Sequence, residues 1–320
     1  MLSVIATLVA LAALAYFGQR VMCFVEARRF PAPGILVDVG GHRLHLDIAG
    51  DGGPTVVLDS ALAGSSLSWA EIQPRLAEMA RVVSYDRAGF GWSDPPLRPR
   101  RVDYLVQELR EALIAASLPP PWVLVGHSYG GWIAQLFASR YPGEVGSLVL
   151  VDVPHPRRWM APDAAQKRRV RRGALMAQAA ALFAQVGLAR WLFRFFAWRR
   201  SGGEEKDRIQ ILLDKVPDHR KAALRSFWVR SWTLSSLASL IEHAPESAAI
   251  VANHTRDLDE IPLVVLTASC PSADRLAEQE ETRKLSTKSA HIVAETSGHW
   301  MLFDEPELVI EAVRWVLAQR

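Results

Sequence analysis

Residues 123–142 read VLVGHSYGGWIAQLFASRYP. The stretch opens as a short apolar run, passes through Gly126-His127-Ser128-Tyr129-Gly130, and continues as a helical pattern from Tyr129 to Ser139. A buried strand that breaks into a helix across one tight turn is the setting in which a G-x-S-x-G serine is held out at the edge of a sheet. The glycines allow strained dihedrals and leave room around the hydroxyl. An ordinary strand-to-helix turn with a capping serine would use the same residues. The strand directly before and the helix directly after favour a presented nucleophile.

Outward from this turn the same alternation recurs. TVVLDS (55–60), RVVSYD (81–86), SLVLVD (147–152), PLVVLT (262–267) and HIVAE (291–295) read as short buried strands. Helical patterns lie between most of them, in VDYLVQELREALIAASL (102–118) and in DEPELVIEAVRWVLAQR (304–320). Strands alternating with helices predict a largely parallel sheet. ILVDVGGHRLHLDIAG (35–50) adds a hairpin around Gly40-Gly41. From His155 to about Asp259 strand signals stop, and so long an interval is an inserted helical element, not a bare loop. The expected architecture is an α/β fold with a mostly parallel eight-stranded sheet. Its core comprises residues 35–154 and 260–320, and a helical lid covers 155–259. An N-terminal membrane anchor (1–27) and a Pro-rich linker (28–34) precede it.

A serine hydroxyl attacks only when a base takes its proton. Among nine histidines, His299 follows a strand, in a Ser-Gly turn before the C-terminal helix. His127 lies inside the turn and reads as structural. His42 and His45 lie on the hairpin and are expected to face solvent, and His155 follows a strand and could line a pocket. GHSYGG, YDRAGFGWSD (Tyr85 to Asp94), LVLVDVPHP (Leu148 to Pro156) and SGHWMLFDEPELV (Ser297 to Val309), in that order, resemble the α/β-hydrolase superfamily from about residue 35 to the end. The anchor, the linker and VDVGGHRLHLDIAG also resemble a group of bacterial membrane-anchored α/β hydrolases. The resemblance implies Ser128 as nucleophile and His299 as base, in the chain order Ser, acid, His.

Two departures from that pattern shape the expected site. Where the superfamily often carries His-Gly, LDSALAGSSLSW has Ser60-Ala61. An oxyanion hole needs backbone N–H groups and no particular side chain, so Leu62 and Tyr129 are assigned to it. The second departure is the acid. PLVVLTASCPSAD (262–274) offers no carboxylate until Asp274, although the superfamily often places one just past this strand. Asp152, at the end of SLVLVD, is favoured, and Asp274 is the alternative, with a place near a helix N-cap as its structural reading.

Serine, histidine and aspartate together support acyl transfer to water through an acyl-serine. The expected substrate is a small lipophilic molecule with an ester-type acyl bond. By the resemblance, an aspartate at the elbow would have pointed to a dehalogenase or an epoxide hydrolase. No metal and no organic cofactor is implied. A proline-releasing aminopeptidase is the enzymatic alternative, with Glu204, Glu205 and Asp207 as groups to hold an amine. A non-catalytic membrane-tethered binding protein on the same fold is the other.

Half the residues are apolar, so a sizeable core is available, and the net charge of +3 argues against a nucleic-acid binder. Two distant cysteines, Cys23 and Cys270, give no disulfide framework. Leu2 to Gly18 carries no charge, and apolar residues resume after Arg20, which favours an uncleaved spanning helix over a signal peptide. Arg20, Arg28 and Arg29 outnumber Glu26 on the domain side, which favours a cytoplasmic catalytic domain. RWLFRFFAWRR (190–200) interleaves Arg with Trp and Phe and suggests a surface lying on anionic lipid, or else a helix with a solvated charged face.

Overall fold

A computed structural model describes residues 1–192 and 216–319. Its centre is an eight-stranded sheet: β1 (Ile35–Asp38), β2 (Arg43–Ala49), β3 (Thr55–Asp59), β4 (Arg81–Asp86), β5 (Trp122–His127), β6 (Val145–Val151), β7 (Leu263–Thr267) and β8 (Ser289–Val293). The spatial order is β1-β2-β4-β3-β5-β6-β7-β8. β1 and β2 form the antiparallel hairpin, β2 runs antiparallel to β4, and all remaining pairs are parallel. Strands covered on both faces must be apolar throughout, and β3 and β5 are buried at every position. Within β5, Val123 and Val125 pack into one core layer with Val309, Ile310 and Val313 of the C-terminal helix Pro306–Ala318. Leu124 points the other way, into the layer that holds α3 (Val102–Ala115) and α4 (Tyr129–Arg140).

Chain order and spatial order diverge in one informative place. β3 lies between β4 and β5. The chain leaves β3 toward one edge to form β4, and leaves β5 toward the other edge to form β6. The ends of β3 and β5, paired at Asp59 and Gly126, therefore flank the point where the winding reverses. Loops diverge there and leave a crevice beyond the carboxyl ends of the strands.

Between β6 and β7 every described element is helical: α5 (Arg157–Met160), α6 (Ala164–Gln185) and the helices Asp218–Phe227, Ser231–Glu242 and Ala244–His254. Glu204, Glu205, Asp207 and most of the basic-aromatic run at 190–200 lie outside the described residues. The N-terminal helix α1 spans Leu2–Arg29, two residues beyond the expected anchor and into the expected linker. It is long and apolar enough to cross a membrane. Its last third is docked on the domain. Gln19 and Cys23 are buried, Gln19 donates to the Val229 carbonyl, and Glu26 pairs with Arg190. The Pro-rich stretch begins packed too: Phe30 accepts from Trp92 Nε1 at 2.9 Å and lies against a cluster with Leu67 and Phe227.

The hairpin histidines do not face solvent. His45 is fully buried with Nδ1 2.8 Å from Asp86 Oδ2, and His42 is buried 3.4 Å from Glu108. Alternation alone could not reveal this: the His45 ring packs 5.0 Å from Trp92 in the turn after β4, and His42 is covered by Glu108 of α3.

Candidate active site

Ser128 ends the strand and starts the helix with φ 54° and ψ −116°. A non-glycine residue held there is strained, and such strain gathers where geometry must be fixed in advance. The neighbours that permit the turn are glycines for steric reasons. A Cβ on Gly126 would lie 2.6 Å from the Gly130 carbonyl carbon, and one on Gly130 would lie 2.7 Å from the Asp59 carbonyl oxygen. The Ser128 N–H is fixed to the Val151 carbonyl at 2.9 Å.

Asp152 follows β6 directly, at φ 43°, with its N–H on the Leu266 carbonyl at 2.8 Å. Its Oδ2 accepts from His299 Nδ1 at 2.6 Å. Its Oδ1 accepts from the Ala268 N–H at 3.2 Å and from Arg275 Nη2 at 3.0 Å. Burial alone would raise this carboxyl, but the His299 hydrogen bond and the Arg275 charge outweigh it and hold Asp152 well below the usual carboxylate range. An ionised carboxylate only accepts, so His299 carries its proton on Nδ1 and keeps Nε2 as the basic nitrogen.

His127 sets the imidazole beside the elbow. Its Nε2 donates to the His299 carbonyl at 2.7 Å, and the two rings lie 4.9 Å apart. Burial, reinforced by the neighbouring imidazole, pushes His127 down to about 3, so it stays neutral. Other histidines are engaged elsewhere. His45 and Asp86 form a second imidazole–carboxylate pair, but both side chains are fully buried and no substrate could reach them. The His299 side chain is 37% exposed. His155 is buried near Glu281, and His291 meets Thr267 Oγ1.

Asp274 stands exposed in the first turn of the helix Ala273–Arg283, whose N-cap is Ser272. It lines a surface depression with Arg158 and Glu278, away from His299. The loop after β7, which supplies no carboxylate to the imidazole, instead borders a cavity of about 320 Å³ behind the histidine–aspartate pair, lined by Thr267, Ala268, Pro271 and Arg275. Ser128 does not line it.

The loop after β3 is held from below by Arg87, which is buried. Its Nη2 donates to the carbonyls of both Ser60 and Ala61, and its Nε lies 3.3 Å from Asp59 Oδ1. Asp59 is held in turn by the Tyr85 hydroxyl at 2.7 Å. The peptide joining Ala61 and Leu62 is trans and planar, so drawing its carbonyl toward Arg87 turns the Leu62 N–H to the opposite side. The Tyr129 N–H is the first of α4 and has no partner in the i→i−4 ladder. Both N–H groups thus stand at the divergence of β3 and β5. Arg87, Asp59 and Arg275 were not singled out in the sequence. The first two lie in the readable segments YDRAGFGWSD and TVVLDS, whereas nothing in ADRLAEQEETR ties Arg275 to a distant strand end. Among the described residues no three His, Cys, Asp or Glu side chains gather as metal ligands would.

A family description for the alpha/beta hydrolase fold matches residues 54–306. The "Uncharacterized protein YbdG" of Bacillus subtilis (strain 168) is 27% identical over 137 residues, 42% of this chain and 42% of that protein. The chain therefore spans less than half of that relative's length. Of solved structures, a thermophilic esterase from Thermogutta terrifontis superposes with a TM-score of 0.63 at 20% identity, over 89% of this chain and 98% of that one. The epoxide hydrolase CorEH does so with a TM-score of 0.65 at 21% identity, over 89% and 98%. These two likenesses concern the fold.

Proposed function

The chain belongs to the α/β-hydrolase fold family, and on that premise we propose that it is a serine hydrolase that cleaves carboxylic ester-type bonds. Ser128 is the nucleophile, His299 the base and Asp152 the acid, and the N–H groups of Leu62 and Tyr129 receive the oxyanion. The observation that carries this reading is the 2.6 Å contact between His299 Nδ1 and Asp152 Oδ2, in a residue whose carbonyl is held by His127, the neighbour of the strained Ser128. Asp152 fixes the tautomer and stabilises the imidazolium that forms when Nε2 takes the serine proton. The freed alkoxide attacks the acyl carbon, and the tetrahedral oxyanion turns toward the two N–H groups. His299 then returns the proton to the leaving alcohol, and a water activated by the same nitrogen releases the acid. A hydroxyl at position 128 supports acyl transfer. Epoxide opening through an ester intermediate would need a carboxylate there.

In this reading the substrate is lipophilic, the inserted helices form a lid, and α1 spans a membrane with the catalytic domain on the cytoplasmic side. Arg20, Arg28 and Arg29 support that orientation. The test sets p-nitrophenyl esters of rising chain length against aminoacyl arylamides, using full-length protein in detergent. Ester turnover with a chain-length optimum is expected. Arylamide turnover without ester turnover would overturn the substrate class.

A further inference from the structure

Helix α6 buries its small residues and exposes its large ones. Ala177, Ala181 and Ala184 are its buried positions. Leu175 is 59% exposed, Met176 62%, Leu182 59% and Phe183 51%. Leu175 and Leu182, and Met176 and Phe183, are seven residues apart, and Val186 follows the second pair by four and three, so all five share one stripe along the helix. Water favours the reverse, with large apolar side chains inward. Small residues at the protein contact and large apolar ones outward is the pattern of helices that face lipid.

Two further observations identify what covers the stripe. It runs on through exposed Leu188 and Trp191 to the docked part of α1, where Arg190 bonds Gln19 and Glu26. On α1 the apolar surface continues through exposed Phe17 and Tyr16. The first half of α6 exposes Lys167, Arg168, Arg169, Arg171 and Arg172. Basic residues joined to an apolar stripe suit the boundary between anionic headgroups and acyl chains.

We propose that α6 lies in the surface of the bilayer beside α1, with its stripe among the acyl chains and its basic half among anionic headgroups. This rests on α1 spanning the membrane and is independent of the serine chemistry. The inserted helices follow Asp152 directly in the chain, so their contact with lipid places the strand ends near the bilayer. An acyl substrate would then reach the site from the membrane.

Single nitroxide labels test the placement in full-length protein carrying Cys270→Ser. The sites are Leu11→Cys on α1, Leu182→Cys and Phe183→Cys on α6, and Ile114→Cys at the far end of α3, where the wild-type side chain is 50% exposed. Vesicles contain phosphatidylcholine with phosphatidylglycerol, and collision with oxygen is compared with collision with a water-soluble nickel chelate. Labels at 11, 182 and 183 should favour oxygen, and the label at 114 should favour nickel. If 11 reports lipid while 182 and 183 behave like 114, the inference is overturned and the anchor stands. If 11 also reports water, the anchor fails and the inference falls with it. Spin–spin broadening at 182 that disappears on dilution with unlabelled protein would show a second copy on the stripe, and would also overturn it. In phosphatidylcholine alone the labels on α6 should shift toward water. An unchanged depth would remove the headgroup role of the basic half.

Discussion

Asp152 is bound on both oxygens, and the two contacts do different work. In the proposed mechanism the His299 contact also orients the base, whereas the Arg275 contact only helps to keep the carboxylate charged. Asp152→Asn should lower kcat by about 10⁴-fold, whereas Asp274→Asn should leave it near wild type, with circular dichroism confirming both folds. The reverse order would return the acid to the loop after β7. Arg87 touches no substrate in this account and acts through the Ala61–Leu62 peptide. Losing an oxyanion donor costs about 10²–10³-fold in kcat, and Arg87→Lys, which weakens the donor's support, should cost less, with KM unchanged. A rise in KM with kcat retained would mean that Arg87 shapes binding and not the oxyanion hole. At this scale the sequence was legible where chemistry is local. Ser128 and Tyr129 stand inside one readable turn. The partners of Asp152 were harder because Asp152, Arg275 and His299 lie far apart in the chain, and a loop without an acid does not say which other carboxylate meets the imidazole.

Strands β3, β5, β6 and β7 were readable as elements because burial on both faces leaves an uninterrupted aliphatic run. The hairpin was readable too, but its buried histidines were not, because alternation cannot see the turn after β4 that covers His45 or the helix α3 that covers His42. α3 carries a consequence for stability. Arg100 grips Glu108 at 2.9 and 2.6 Å, with His42 beside it. Burial opposes ionisation there, yet these partners pull the Glu108 carboxyl down to about 2 from an ordinary 4.5. A folded value below the unfolded one adds stability above pH 4.5 that is lost as pH falls toward 2. The shift is worth on the order of 3 kcal/mol. Urea titrations of Glu108→Gln at descending pH should therefore show a smaller acid-induced loss than wild type. Equal losses would contradict the pair's role.

At the scale of the molecule, α1 is about 42 Å long at about 1.5 Å per residue, more than the roughly 30 Å of a bilayer's apolar core. The surplus matches its docked third, so the apolar length of the helix and the domain meet without a free spacer. Composition revealed the apolar helix but not its docking, since Gln19 and Glu26 have no local signal for partners more than 150 residues away. Fluorescence from a cytoplasm-only reporter fused after Arg320 is expected, and activity of a periplasm-dependent phosphatase at the same position would reverse the orientation. The order of strands, the reversal between β3 and β5 and the serine at that reversal all bear on one claim, that Ser128 is the nucleophile. Mass spectrometry of the full-length protein after treatment with a fluorophosphonate probe measures this directly. The adduct should sit on the peptide containing Ser128 and vanish in Ser128→Ala together with ester hydrolysis. An adduct elsewhere, or a Ser128→Ala protein that labels and hydrolyses at the wild-type rate, would contradict it.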